Sequence, residues 1–256
     1  MVETEPTGIE VTVADRIMTI RLNREAKRNA ITYYMYRELV DLLHVAERSE
    51  EISCVLFAST GTIFTAGHDV SGFAQGLEIA YDEKPSFLFM KALVDFPKPV
   101  AAALNGNAVG IGATMLFHCD LVYGVPEARI VFPFADMGLI PEFASSLLLP
   151  RLAGHRRAMA ILLHERGCDM NTAVDLGLVN EAVPRSGLEP RALQVLRGIA
   201  ALSPDAVVMT KKLLKAEERT AIHAAIRHEA ESFHHLLQSP FVRNRLAAIK
   251  ERISRD

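Results

Sequence analysis

The sequence predicts an α/β chain wound as a spiral of stacked strand-to-helix turns and closed by a layer of helices. Three observations predict it. Two short runs without a polar face, SCVLFAST and KPVAAALNG, read as strands covered on both sides. Each is followed by a glycine-containing loop and a helical segment, so the same unit recurs about 45 residues on, without strict βαβ alternation. Beyond Pro141 strand patterns nearly vanish and helical periodicity continues to the C-terminus.

The elements follow in order. IEVTVAD and RIMTIRLN alternate with period two around a turn at Asp15-Arg16 and read as a hairpin. Thr32 can cap a helix from Tyr33 to about Arg48. After SCVLFAST comes the glycine-bounded loop GTIFTAGHD, then a segment from Val70 to Phe96 that is helical in pieces, broken near Pro85. After KPVAAALNG come the loop NAVGIG and the short apolar helix ATMLFHCD; LVYG and ARIVFP add strands. Helical patterns then cover Phe143 to Ala153, His155 to Glu165, Asn171 to Gly177, Leu188 to Leu202, Pro204 to Glu217, Thr220 to His235 and Val242 to Ser254. Val183-Pro184 divides a core, residues 1–183, from a helical region, 184–256, whose apolar rows are of the kind that pack on another subunit.

The composition excludes several function classes. The 256 residues are half hydrophobic and contain no tryptophan, enough for one substantial core. With 28 basic and 31 acidic residues and no block of one sign, the charge points to neither nucleic acid nor a membrane surface. Cys54, Cys119 and Cys168 are odd in number, widely spaced and set among apolar residues, so free thiols are expected. The opening MVETEPTGIE is acidic and polar, no apolar run reaches membrane-span length, and the final SRD is not a peroxisomal address. A cytoplasmic protein is the expectation.

Two loops carry the candidate chemistry. FTAGHD presents the N–H groups of Gly67 and His68 near one helix start, and AVGIGA those of Ile111 and Gly112 near another. Each alone also reads as a tight turn; converging, they would form an oxyanion hole. No dinucleotide fingerprint, phosphate loop or G-x-S-x-G elbow occurs, and the histidines lack metal-site spacing, so no metal is expected. The remaining signal is one acid, Glu142, in the otherwise apolar GLIPEFASSLLLP. It reads either as a buried catalytic carboxylate or as a first-turn residue after Pro141, favourably placed against the helix dipole. Asp136 nearby reads as a turn or surface residue, and the His68 side chain is left open between base and bystander.

RLNREAKRNAIT, IFTAGHDVSGF, KPVAAALNGNAVGIGATMLFHCDLVYG and ADMGLIPEFASSLLLPRLAG, in this order, resemble the enoyl-CoA hydratase/isomerase family, also called the crotonase family; AVDLGLVNEAVP and SPDAVVMTKKLL fit it too. The resemblance implies a crotonase-like spiral of repeated ββα turns, a C-terminal helical trimerisation region, and a homotrimer or hexamer. It implies an acyl-CoA thioester as substrate, coenzyme A entering as part of it and no separate cofactor being needed. The thioester oxygen would be held by the backbone N–H groups of His68 and Ile111. Ala66, Gly67, Asp69, Val70 and Ser71 occupy the neighbouring substrate-binding stretch, with Gly110 in the second loop and Arg28 and Ala30 in RNAIT. Arg24, Lys27 and Arg28 are the basic residues best placed for the coenzyme A phosphates. Phe73, Phe87, Phe89 and Met90 read either as acyl-pocket lining or as core.

The resemblance also says which acids are absent. Hydratases of the family use two glutamates, whose positions hold Thr114 and Phe134 here. Glu142 falls where the peroxisomal type of 3,2-enoyl-CoA isomerase places a single glutamate, and moving a double bond needs only one base. The dehalogenase branch needs a tryptophan that this chain lacks. Isomerisation is the leading reading. Another enolate reaction (hydration, decarboxylation, C–C cleavage or thioester hydrolysis) and a silent acyl-CoA-binding homologue are the alternatives.

Overall fold

A computed structural model describes residues 8–69 and 79–253. Strands β1 (Ile9–Ala14) and β2 (Ile17–Leu22) form the expected hairpin. Its two turn residues, Asp15 and Arg16, have φ of 52° and 63°, the left-handed pair that matches the twist of a two-residue hairpin. Helix α1 (Tyr33–Arg48) is capped by Thr32, whose hydroxyl accepts the Met35 N–H at 3.2 Å, and buries Met35, Tyr36, Leu39, Leu43 and Ala46 along one face.

Two sheets follow from the repeated unit. β3 (Cys54–Ser59) and β5 (Val100–Leu104) are buried at every residue and pair in parallel, with β7 (Leu121–Gly124) and β10 (Glu181–Ala182) continuing the order β1-β2-β3-β5-β7-β10. The smaller sheet has the order β4-β6-β8-β9, from β4 (Ile63–Thr65), β6 (Asn107–Val109), β8 (Arg129–Val131) and β9 (Gly167–Asp169). Each of the three turns β3-β4, β5-β6 and β7-β8 thus gives its first strand to the large sheet and its second to the small one. GTIFTAGHD and NAVGIG, expected as loops, each contain such a second strand. Three residues are too few for periodicity to show.

The helices differ from expectation mainly at their starts. Pro85 opens helix α2 (Pro85–Asp95) at a first-turn position instead of breaking one; of the segment expected to be helical from Val70 to Phe96, residues 70–78 lie outside the described residues. Helix α3 (Ile111–Thr114) continues into a 3₁₀ turn, Met115–His118. Helix α4 (Ser145–Ala153) begins two residues later than the pattern suggests, because Phe143 and Ala144 are left-handed. Then come α5 (His155–Met159), which runs into a π turn (Ala160–His164), α6 (Met170–Asp175), α7 (Arg185–Ala200), α8 (Pro204–Lys215), α9 (Arg219–Leu237) and α10 (Pro240–Ile253). Within this C-terminal layer, α7 packs on the large sheet at β2, β3 and β5, and α9 reaches α2 and α4. No single helix among the described residues is long and apolar enough to cross a membrane.

The turns of the spiral touch backbone to backbone. A Cβ built on Gly106 would lie 1.8 Å from the Thr62 carbonyl oxygen, and one on Gly112 would lie 2.1 Å from Thr65 Cγ2. Gly106→Ala is therefore expected to cost about 3 kcal/mol of unfolding free energy, since backbone must move to admit the methyl. Gly198→Ala, in the exposed interior of α7 with nothing within 4 Å, is expected to stabilise by about 0.5–1 kcal/mol. Urea denaturation of the two variants beside the parent checks both.

Candidate active site

Pairing of β4 with β6 sets Thr65 opposite Ala108 and brings the ends of both strands together. Gly67, at φ 86°, makes the approach possible: a Cβ there would meet the Val109 carbonyl oxygen at 2.6 Å. In the extended segment just beyond β4, which bridges to Ile31, the Ile31 N–H donates to the Gly67 oxygen at 2.8 Å and the Asp69 N–H donates to the Ile31 oxygen at 2.9 Å. Those groups face Ile31, so the alternation of the strand turns the His68 N–H toward the β6 side. There Gly110, at φ 58° and ψ −122°, ends β6 and starts α3, its oxygen accepting the N–H groups of Ala113 and Thr114 at 2.9 Å. Ile111 is the first helical residue, with ordinary backbone geometry and an N–H that the helix itself leaves unsatisfied.

Ala66, His68, Gly110 and Ile111 open onto a cavity of about 150 Å³. Its other walls are Tyr33 and Tyr36 from α1, Phe87 and Met90 from α2, Phe134, Leu139, Glu142 and Phe143, and Ile226, Phe233 and Leu237 from α9. Glu142 is half-buried because its carboxyl opens into the cavity, while the surrounding wall is apolar. That burial pushes it up to about 8, and the nearby charge of Glu229 adds to the shift. The His68 ring stands with Nδ1 3.3 Å from the Tyr36 hydroxyl and is pushed down to about 4 by burial, so it is neutral at pH 7. Burial also raises the Tyr36 hydroxyl, with the Glu142 charge as the next contribution.

The structure thus brings Glu142, His68, Ile111, Ala66 and Gly110 to one cavity. Gly67, Arg28, Ala30 and Asp69 do not line it; they shape or flank it. The Arg28 oxygen accepts the Ala66 N–H at 2.9 Å while its side chain is exposed, and the Ala30 oxygen accepts from Arg24 at 3.2 Å. Arg24 also binds the Asp69 carboxylate at 2.5 Å. Val70, Ser71 and Phe73 lie outside the described residues. Phe87 and Met90 line the cavity, whereas Phe89 is core. Thr114 is fully buried with its hydroxyl donating to the Ile111 oxygen at 3.4 Å, and Asp136 pairs with Arg166 at 3.0 Å. Among the described residues no group of three or more His, Cys, Asp or Glu could hold a metal ion. Sequence reasoning missed Tyr36, His118 and Glu229. A signal existed for Glu229, an acid in the apolar row Ile222, Ile226, Phe233 of a helix.

The enoyl-CoA hydratase/isomerase family model matches residues 12–255. Enoyl-CoA delta isomerase 2 of Rattus norvegicus is 34% identical over 230 residues, which are 88% of this chain and 59% of that protein; the chain spans little more than half of the rat protein's length. The 1,2-epoxyphenylacetyl-CoA isomerase of Escherichia coli (strain K12) is 30% identical over 80% of this chain and 81% of its own. The solved structure of Pseudomonas aeruginosa OdaA aligns with a TM-score of 0.91 at 37% identity, covering 94% of this chain and 98% of that one.

The buried carboxyl has a consequence for stability. Between the ordinary 4.5 of a free glutamate and about 8, the folded chain keeps a proton on Glu142 that the unfolded chain has lost. Stability therefore falls as pH rises through that window. Glu142→Gln removes the penalty: its stability relative to the parent is expected to grow from pH 5 to pH 8 and then level off, by roughly 2–3 kcal/mol after allowance for the open cavity. Denaturant midpoints across pH 5–9 measure it.

Proposed function

The chain belongs to the enoyl-CoA hydratase/isomerase family, and from that premise we propose that it is a 3,2-enoyl-CoA isomerase acting on a coenzyme A thioester. One observation carries the reading: among the described residues a single carboxyl, Glu142, shares an apolar cavity with both loops, while the two hydratase positions hold buried Thr114 and apolar Phe134. The thioester oxygen accepts the N–H groups of His68 and Ile111. Each such donor contributes roughly 3 kcal/mol once negative charge develops on that oxygen. With the carbonyl polarised, ionised Glu142 takes a proton from C2, giving a dienolate with its charge on the thioester oxygen. The carboxylic acid so formed returns the proton at C4, and the double bond has moved from C3–C4 to C2–C3.

The surroundings support these roles. An apolar wall makes Glu142 a stronger base than an exposed carboxylate and keeps out competing water. A neutral His68 ring leaves the oxyanion to backbone dipoles. Coenzyme A enters as part of the substrate, so the reaction needs no further cofactor. Arg24 is engaged by Asp69, which leaves Lys27 and Arg28, both exposed, as the better partners for its phosphates. Met209, Leu213 and Leu214 expose an apolar face on α8 that suits packing between subunits in a homotrimer or hexamer. A second reading, another reaction through the same enolate, is favoured by the His68–Tyr36 pair, a further proton-transfer couple facing the cavity.

The test is turnover of trans-3-hexenoyl-CoA and crotonyl-CoA by the parent and by Glu142→Gln. The first is expected to give the 2-enoyl isomer, with a loss of roughly 10²–10⁴-fold in the variant, and the second to be hydrated little. Rapid hydration of crotonyl-CoA, or isomerisation that survives in Glu142→Gln, would overturn the assignment. Since the base must be ionised in the free enzyme, kcat/KM is expected to rise about tenfold per pH unit below pH 8 and to level off above it.

A further inference from the structure

We propose that Glu229, on α9, is a positioning residue for Glu142, its carboxylate clamping the turn that carries the base. The proposal rests on the role given to Glu142 above and adds the group that fixes its place. Glu142 begins a tight turn that ends at Ser145, whose N–H and hydroxyl both donate to the Glu142 carbonyl oxygen, at 3.2 and 2.6 Å. The central residues, Phe143 and Ala144, have φ of 62° and 57°, a region that residues with a Cβ adopt at a cost. Neither is glycine or asparagine, so the turn has to be held from outside.

Glu229 holds one side of it. One carboxylate oxygen accepts the Ala144 N–H at 2.7 Å; the other accepts the Ser146 N–H at 3.0 Å and the Ser146 hydroxyl in a short bond. His118 holds the other side: its Nε2–H donates to the Phe143 oxygen at 2.7 Å, and its ring stacks on Phe143 with centroids 4.2 Å apart. Glu229 is 4% exposed, in a helix row with Ile222, Ile226 and Leu237. A carboxylate so placed is unfavourable unless its oxygens are satisfied. All its bonds are to donors at the start of α4, where the helix dipole favours negative charge, so it reaches the turn as an anion. An ordinary surface cap would need no such burial.

The clamp also acts on the base through charge. The charged and titratable groups around Glu142 among the described residues are Glu229, whose charge adds to its shift, the Tyr36 hydroxyl, and, on the walls of the same cavity, His68, Lys84, Tyr33 and Tyr81; those around Glu229 are Glu142, the Ala144 and Ser146 donors, and His228 beside it on α9. Removing the Glu229 charge therefore lowers the pH at which Glu142 ionises.

Glu229→Gln tests both effects. A single amide oxygen can serve only one side of the clamp, and the amide nitrogen opposes an N–H. The kcat for trans-3-hexenoyl-CoA is expected to fall roughly 100-fold, with KM changed less than about threefold, and the midpoint of the pH profile to move below the parent's. Glu229→Asp, which keeps the charge and shortens the reach, should lose kcat without the pH shift. If Glu229→Gln does not fold, Ser146→Ala removes one clamp donor at an exposed residue and should lower kcat a few-fold at constant KM. Unchanged kcat in whichever variant folds, or a kcat loss matched by a rise in KM with the pH midpoint unmoved, overturns the proposal. A readout without turnover separates it from the isomerase reading: the pH at which the stability gain of Glu142→Gln levels off should move down in the Glu229→Gln background. That shift would appear even if the parent proved inactive on 3-enoyl thioesters, and its absence counts against Glu229 alone.

Discussion

The close approach of β4 to β6, which a side chain at Gly67, Gly106 or Gly112 would prevent, sets the position of everything in the cavity. Each glycine faces backbone or a branched side chain that has nowhere to go: Val109 oxygen, Thr62 oxygen, Thr65 Cγ2. Interiors pack as densely as organic crystals, so a methyl at any of these points displaces a whole strand. Because the two loops leave from the ends of those strands, the separation of the His68 and Ile111 N–H groups is a property of the sheet. Loop sequence has little influence on it. Thr65 ties the arrangement further, its hydroxyl donating to the Asn29 oxygen and accepting the Gly67 N–H at 2.6 and 3.0 Å.

Electrostatically the cavity holds one acid among the described residues, Glu142, with a second, Glu229, close by, and little to balance them. Lys84 is its one lysine or arginine among the described residues, and burial lowers even that ammonium. Burial raises both Glu142 and Glu229, yet the two are not equivalent, because Glu229 accepts three hydrogen bonds that oppose part of the desolvation. The resting pair therefore puts the charge on Glu229 and the proton on Glu142. A carboxyl that rests protonated near neutrality is an acid ready to give a proton as well as a base once ionised, which suits the proposed reaction, in which the proton removed at C2 is delivered at C4. The imidazole of His118 stays neutral, pushed down to about 3, so it orients the turn without contributing charge.

How much of this was legible in the chain depends on the kind of signal. The hairpin, α1, β3 and β5 follow from period and apolar runs, and the two glycine loops from punctuation. Glu142 stood out because one acid in an apolar run is rare. Glu229 carries the same physical signal, but it sits in RHEAES, where charged neighbours on the exposed face of α9 make it read as solvated. Its row, Ile222 to Phe233, shows the burial only when the helix is wound at 3.6 residues per turn. Tyr36 reads as core and is core, fully buried; that its hydroxyl meets His68 depends on the bridge between Ile31 and His68, a contact remote in sequence. The late start of α4 had no signal, because a left-handed Phe-Ala pair has no composition of its own.

That pair raises a question of design, since glycines would adopt the same turn without strain. Holding Phe143 and Ala144 left-handed costs on the order of 1–2 kcal/mol each, while full burial of a phenylalanine ring contributes about 1.5–3 kcal/mol, so Phe143, fully buried against His118 and Phe89, offsets much of it. Glycines would remove the strain and the anchor together, and they would allow the segment many more conformations. In the proposed reaction the base must meet a carbon-bound proton, and misplacement by about 1 Å can cost on the order of 100-fold in rate. The strained turn, pinned by a ring on one side and a buried carboxylate on the other, therefore exchanges stability for a single position of Glu142.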